Sequence, residues 1–293
     1  MRATWVMGLM LVAMAGAAQA LGPKDRIALQ ARHRVSTETG CATLRLPQQV
    51  EHLPYGPGES LSYEATLNGV TAGTAAMRFN EKSTEAGHLV YSAEVKAQAN
   101  PVVQLWGKMQ AQLVTVLDPD LGLPLRMESA THQDKNLYTE AVEFSPGKKL
   151  VAAHTAVNGS PMKQSLSVET DALDVLSLVY YARSRMFEVG QPFCIDLYQS
   201  RLIWRIRGTV RGRETVETDA GPFDAYVATG VAVAQLGNQK GAPAIIKEPR
   251  PFTTWMTADE DRIPVLLKAP TPLGEVVVKL TRFEQGRRLA RAH

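Results

Sequence analysis

Arginine is the residue through which this chain shows its densest chemistry. In RLIWRIRGTVRGRE, residues 201–214, Arg201, Arg205, Arg207, Arg211 and Arg213 occupy odd positions, and Leu202, Trp204, Ile206 and Val210 occupy even ones. Successive side chains of a strand point to opposite faces, so an uninterrupted strand would place five guanidinium groups on one face and the apolar set on the other. A guanidinium is a planar fork of donors that fits phosphate or carboxylate in a bidentate way. Together with Trp204, the row is a candidate binding stripe for an anionic or amphipathic envelope molecule, a lipid or a glycan. The competing reading is a solvated face paired across strands with Glu214, Glu217 and Asp219. Gly208 and Gly212 are places where a bulge would break the alternation.

Motifs of other chemistries are missing from the sequence. It contains no G-x-S-x-G elbow, H-E-x-x-H, C-x-x-C, P-loop or dinucleotide fingerprint. The histidines, at positions 33, 52, 88, 132, 154 and 293, have no metal-ligand spacing. Asp259-Glu260-Asp261 offers oxygen ligands for a divalent cation, and a charged hairpin turn explains it as well. No metal and no cofactor is expected. An enzyme would have to use dispersed groups such as Glu59, His154, Asp196 and Arg205, with no base–nucleophile pair in view. The expectation is therefore a non-enzymatic protein.

The chain has 32 Lys and Arg against 29 Asp and Glu, a net charge of +3, which does not favour nucleic acid as a partner. Met1–Ala20 has Arg2, an apolar stretch from Trp5 to Ala17 and a small-residue site at Ala18-Gln19-Ala20, the pattern of a cleavable signal peptide. It predicts export to the periplasm with cleavage after Ala20. No cysteine follows that site, which argues against a lipid anchor, and no later apolar run approaches membrane length. Any membrane association would be peripheral. Cys41 and Cys194 both enter an oxidising compartment, and a bridge between them would tie the N-terminal arm to a strand of the second half; two separate buried thiols are the alternative.

The elements that must position these residues read as strands. Residues 53–80 form a hairpin around Asn68-Gly69, a dipeptide suited to a type I′ turn. Leu61, Tyr63, Ala65 and Leu67 line one face of its first strand, and Thr71, Gly73, Ala75, Met77 and Phe79 one face of its second. Further period-2 runs cover 88–99, 108–117, 125–132, 136–144, 149–157, 162–168, 193–199, 201–210, 213–218, 223–234, 252–258, 263–268 and 275–284. Asp171–Phe187 changes to helical period, with Leu173, Leu176 and Tyr180 on one stripe and Thr170 or Asp171 as candidate caps. This helix is expected to cover the sheet, packing closely at the small residues Gly73 and Ala75. The predicted fold is mainly β: a large, strongly curved antiparallel sheet, half-barrel or barrel-like, with one long helix packed against it. The predicted organisation is a signal peptide at 1–20, an arm at 21–52, a single β-rich domain at 53–284 and a basic, frayed tail at 285–293. Gln235–Pro251 reads as a candidate mobile loop at the mouth of the sheet.

Three stretches in order resemble a known family: Y-G-P-G-E-S-L-S-Y with N-G-V-T-A-G in Tyr55–Gly73, D-A-L-D-V-L-S-L-V-Y-Y-A-R in Asp171–Arg183, and W-M-T-A-D-E-D-R-I-P-V with T-P-L-G-E-V-V-V-K-L in Trp255–Leu280. Together they are similar to the exported bacterial family catalogued as domain of unknown function 3108, over about Leu53–Glu284. The resemblance implies an envelope location and an antiparallel β fold with an embedded helix. It supplies no activity and no catalytic residues, and its recurring positions correspond to Gly58, Glu59, Tyr63 and Gly73. Cys41 lies outside the shared region. The expected function is binding of an amphipathic or anionic envelope molecule as carrier or assembly factor. The alternatives are a scaffold for outer-membrane or cell-wall partners and, less favoured, a hydrolase without a recognisable motif.

Overall fold

The computed structural model describes residues 50–85, 87–101, 109–119, 122–235 and 249–289. The predicted signal peptide, Cys41 with nearly all of the arm, and most of the loop at 235–251 lie outside the described residues.

Fifteen strands alternate with turns in the described residues. They are β1 Ser60–Leu67, β2 Val70–Phe79, β3 Ser83–Glu85, β4 His88–Ala99, β5 Met109–Leu117, β6 Pro124–Gln133, β7 Asn136–Ser145, β8 Leu150–Val157 and β9 Ser160–Ser167. The helix α1, Val175–Arg183, follows, and then β10 Pro192–Gln199, β11 Leu202–Thr218, β12 Gly221–Gln235, β13 Arg250–Thr257, β14 Pro264–Thr271 and β15 Gly274–Glu284. The protein is mainly β, and its strands form one large antiparallel sheet that does not close. Its order is β10-β11-β12-β13-β14-β15-β1-β2-β4-β5-β6-β7-β8-β9, with β3 added on β4. The first strand therefore lies inside the sheet, joined by β15 on one side and β2 on the other.

The opening hairpin turns at Asn68 and Gly69 with φ of 50° and 79°, the two positive values a type I′ turn needs. Asn68 also anchors a distant turn, since its amide donates to the Leu273 carbonyl at 2.9 Å and its Oδ1 accepts from the Glu275 N–H at 3.0 Å. In β2 a register shift near Ala72 removes Thr71 from the expected row, leaving Gly73, Ala75, Met77 and Phe79 on it. The helix does not seat at Gly73. There a Cβ would stand 2.4 Å from the Gln98 carbonyl of β4, so it is the neighbouring strand that requires the glycine. The helix instead packs against β4, β5 and β10 and sets Tyr180 against Phe79, 5.1 Å between centroids.

The helix is shorter than Asp171–Phe187 because Asp174, not Thr170 or Asp171, caps it. Its carboxylate accepts from the Leu176 and Ser177 N–H groups while Ser177 Oγ accepts from the Asp174 N–H, a reciprocal capping box. Leu173 pairs in parallel with Leu197, donating to the Asp196 carbonyl at 2.9 Å and accepting from the Tyr198 N–H at 2.7 Å. That short pairing covers the free edge of β10, which would otherwise present unpaired backbone groups.

Two cores result. The larger gathers Leu61, Phe79, Leu113, Phe144, Leu176 and Tyr180, and the second gathers Leu173, Tyr181, Leu197, Trp204, Ile206 and Phe252. Adjacent residues of α1 thus serve different cores, and so do the adjacent strand residues Ile203 and Trp204. At the C-terminal end, residues 285–289 are not frayed. Arg287 N–H donates to the Pro57 carbonyl at 3.0 Å, Leu289 N–H to Tyr55 at 3.3 Å, and the Arg287 guanidinium reaches Glu81 at 2.6 Å.

Candidate functional site

The arginine row is dispersed by backbone geometry. Arg201 is not in β11 but in the turn before it, where Ser200 and Arg201 have φ of 48° and 65°. Arg205 and Arg207 stand opposite Asp196 and Cys194 of β10 and share their face. Between Val210 and Gly212 the register slips by one residue. Arg207 opposes Val231 of β12, whereas Arg213 opposes Tyr226, and odd and even positions of β12 point to opposite faces. The bulge at Arg211 has turned Arg213 over, so the predicted single-faced stripe is not formed.

Each arginine then meets different neighbours. Arg205 is 7% exposed and holds Asp196 through Nε at 3.0 Å and Nη2 at 3.3 Å, with Nη1 on Glu169 at 2.7 Å. Arg211 donates to Thr229 Oγ1 at 2.8 Å, and Arg213 stacks over Tyr226 at 4.4 Å. Trp204, proposed from the sequence as a ligand contact, is fully buried in the second core beneath Arg250. The competing reading of cross-strand pairing holds for Arg205, although its carboxylates are Asp196 and Glu169 rather than Glu214, Glu217 or Asp219. Cys194 is buried on β10, and its predicted partner Cys41 lies outside the described residues.

Asp259-Glu260-Asp261 is a turn closed by a cation of the protein itself. Asp259 Oδ1 accepts from Thr257 Oγ1 and from two backbone N–H groups, while Arg288 reaches Glu260 and Asp261 at 2.9 Å each. Among the described residues no cluster of three or more His, Cys, Asp or Glu is arranged to hold a metal ion.

A buried charge pair went unnoticed in the sequence. Arg183, at the end of α1, grips Glu59 with Nη1 at 2.6 Å and Nη2 at 2.8 Å, both side chains being fully buried. Its Nε donates to the Asp261 carbonyl at 3.0 Å, and its guanidinium lies 5.4 Å from the Tyr55 ring and 5.8 Å from that of Tyr180. Burial disfavours the Arg183 charge, but the bonds to Glu59 outweigh it and hold the proton more firmly than usual. Tyr63 donates to the Pro264 carbonyl at 2.9 Å beside this pair, and burial pushes its hydroxyl well above the ordinary phenol range. The three stretches that carry the family resemblance therefore meet here, at Glu59, Arg183 and Asp261. With no solvent path to the charges, the cluster works as a clamp between strand, helix and turn. The sequence singled out Glu59 as a recurring family position and placed Arg183 at the end of a block of the resemblance, but nothing in it paired the two.

The other end of the sheet is open. Tyr138, Glu140, Val142 and Phe144 share one face of β7, opposite Val157, Thr155, Ala153 and Val151 of β8. Met162 and Leu166 of β9 continue that face. Val142, Phe144, Val151, Ala153 and Leu166 are buried in the larger core, but farther along the same rows Tyr138 is 36%, Val157 38% and Met162 51% exposed. Residues from the opposite end of the strand order approach this face. Tyr198 of β10 stacks edge-on to Phe144 at 6.3 Å and donates to Glu140 at 3.4 Å, and Arg201 Nη1 lies 3.5 Å from Met162 Sδ. Burial raises the Glu140 carboxyl above its usual range, with the Tyr198 hydroxyl and the Arg201 charge acting the other way. A separate pocket at Phe144, Lys149 and Asp171 has a volume of only ≈ 10 Å³, far short of the ~300–1,000 Å³ of small-molecule sites.

The chain belongs to the family described as "Protein of unknown function (DUF3108)", which it matches over residues 62–281. Solved structures of similar fold include a β-barrel-like protein of domain of unknown function DUF1849 from Brucella abortus, at 12% identity and a TM-score of 0.47, covering 78% of this chain and 97% of that one. A protein from Bacteroides fragilis described as exported, with a YmcC-like fold, matches at 10% identity and a TM-score of 0.36, covering 80% and 99%. A protein from Parabacteroides distasonis described as a lipoprotein matches at 9% identity and a TM-score of 0.36, covering 80% and 100%. No curated protein matches the chain. Among the described residues no helix is long and apolar enough to cross a membrane, which leaves open how strands relate to one.

Proposed function

We propose that this is a non-enzymatic, exported envelope protein that binds an amphipathic envelope molecule as a carrier or assembly factor. The observation that supports this is the face of β7–β9, which is core at Val142, Phe144 and Val151 and then runs on into solvent at Tyr138, Val157 and Met162. A small exposed apolar patch on the core-facing side of the sheet, bordered by Glu140 and Arg201, suits a ligand with one apolar and one polar part. The reading includes a strongly curved, half-barrel sheet, because Tyr198 and Arg201 from one end of the strand order touch Glu140, Phe144 and Met162 near the other. It also includes a periplasmic location through the signal peptide at Met1–Ala20 and a Cys41–Cys194 bridge. The resemblance of fold to proteins described as exported or as a lipoprotein agrees with such a location without carrying it.

Native mass spectrometry of the protein purified from envelope fractions, followed by lipid extraction, tests the reading. Bound lipid in stoichiometric amount is the expected result. A protein without lipid that instead retains outer-membrane or cell-wall proteins would replace the carrier with the scaffold.

A further inference from the structure

We propose that the open end of β7–β9 takes a single acyl chain whose headgroup is zwitterionic, with a phosphate on Arg201 and an ammonium on Glu140. This inference rests on the binding function proposed above and assigns its ligand class.

The apolar part is a small patch. Tyr138 and Val157 are directly opposed across β7 and β8, and Met162 opposes Thr155 on the same face, one diagonal step from Val157. Three side chains spread over two neighbouring rows give room for one chain rather than a multi-chain lipid. Between Tyr138–Val157 and the core residues Val142–Ala153 runs the row Glu140–Thr155–Met162, which puts the Glu140 carboxyl at the inner border of the patch.

The polar part has two opposite charges. Arg201 is exposed and has no carboxylate within ion-pair distance among the described residues; its side-chain contact is the Met162 thioether, a weak acceptor. The backbone that presents it adopts two consecutive positive-φ residues, Ser200 and Arg201, where Asn-Gly would be the unstrained choice. The guanidinium is thus held over the apolar patch at a conformational cost. Glu140 is half-buried on the patch side, tied to the Tyr198 hydroxyl. An anionic headgroup alone would answer Arg201 and be repelled by Glu140. A phosphoethanolamine group answers both, because phosphate suits the guanidinium fork and ammonium suits a carboxylate.

The test uses the delipidated mature protein, titrated calorimetrically with lysophosphatidylethanolamine and with lysophosphatidylglycerol below their micelle concentrations. The wild type is expected to bind the ethanolamine lipid at least tenfold tighter. Glu140→Gln should erase that preference by weakening the ethanolamine lipid and strengthening the glycerol one, and Arg201→Glu should weaken both at least tenfold, with Arg201→Lys recovering part. Met162→Glu should abolish binding of both, with circular dichroism and thermal melting showing the fold intact. Equal affinity for the two lipids, unaltered by Glu140→Gln, overturns the headgroup assignment while a loss with Met162→Glu keeps the binding function. Binding unaffected by Met162→Glu and by a second variant, Val157→Glu, overturns the site itself.

Discussion

Two arginine–glutamate neighbourhoods in this protein use the same residue types for opposite ends. At Glu59 and Arg183 the pair is bidentate and completely enclosed, with backbone carbonyls and two tyrosine rings filling the rest of the guanidinium's surroundings. At Glu140 and Arg201 the groups do not reach ion-pair contact, and both border exposed apolar side chains. Enclosure decides the outcome. Charges removed from water must satisfy one another and so become architecture, whereas charges at a half-exposed rim keep capacity for a ligand.

The contrast is sharpest in stability. Glu59→Ala leaves Arg183 buried without its partner and is expected to lower the unfolding free energy by about 3–5 kcal/mol, read from urea denaturation. Combining Glu59→Leu with Arg183→Met should restore most of that loss; a double variant as unstable as Glu59→Ala would mean that the pair does more than neutralise itself. The bridge of Cys41 to Cys194 is expected to give an intact mass lower by two hydrogens without reductant, and its reduction should cost about 2–4 kcal/mol. Two thiols reactive toward iodoacetamide under denaturing, non-reducing conditions would remove it.

Asp174 offers a pH-dependent intermediate. Its carboxyl is buried, and burial raises its affinity for protons above the ordinary range despite the hydrogen bonds from Ser177, Thr115 and Leu176. The folded state then binds the proton more tightly than the unfolded one, so this group's contribution is fully present below the unfolded value of about 4 and is lost as pH rises through the folded value. Asp174→Asn keeps Oδ1 as a cap, and its urea midpoint relative to wild type should therefore rise between pH 4 and 7. A constant difference across that range would refute the shift. The smallest expected effect belongs to the open end, where Met162→Glu should change stability by no more than about 0.5 kcal/mol. A loss of several kcal/mol, measured the same way, would reclassify that patch as core.

Much of the fold was legible because its signals are local. Period-2 alternation placed β4 at its observed bounds, His88–Ala99, and Asn68-Gly69 set the first turn through the φ values those two residues accept. The helix was found but drawn too long, since the sequence does not show that Leu173 prefers the free edge of β10 to another helical turn. The arginine row was legible as a row and misleading as a face. Whether a glycine pair bends a strand depends on its pairing with β12, and one extra residue at Arg211 reverses every side chain after it. At the other end, Arg201 was placed in a strand, whereas it stands in the turn that points it at Met162.

By itself the sequence determined that this is a mainly β protein with one helix, the positions of nearly all its strands, and its membership of a family of unknown function. These follow from periodicity and turn residues, each readable within a short window of chain, and from the order of the three blocks that carry the resemblance. Only the tertiary structure decided which charges are enclosed. Glu59 and Arg183 are 124 residues apart, and Glu140 meets Tyr198 across 58, contacts that depend on the helix crossing from β9 to β10 and on the register accumulated through fourteen paired strands. Hydrophobic alternation fixes which way a side chain points from its own strand, but what it meets there is set by strands that the chain reaches much later.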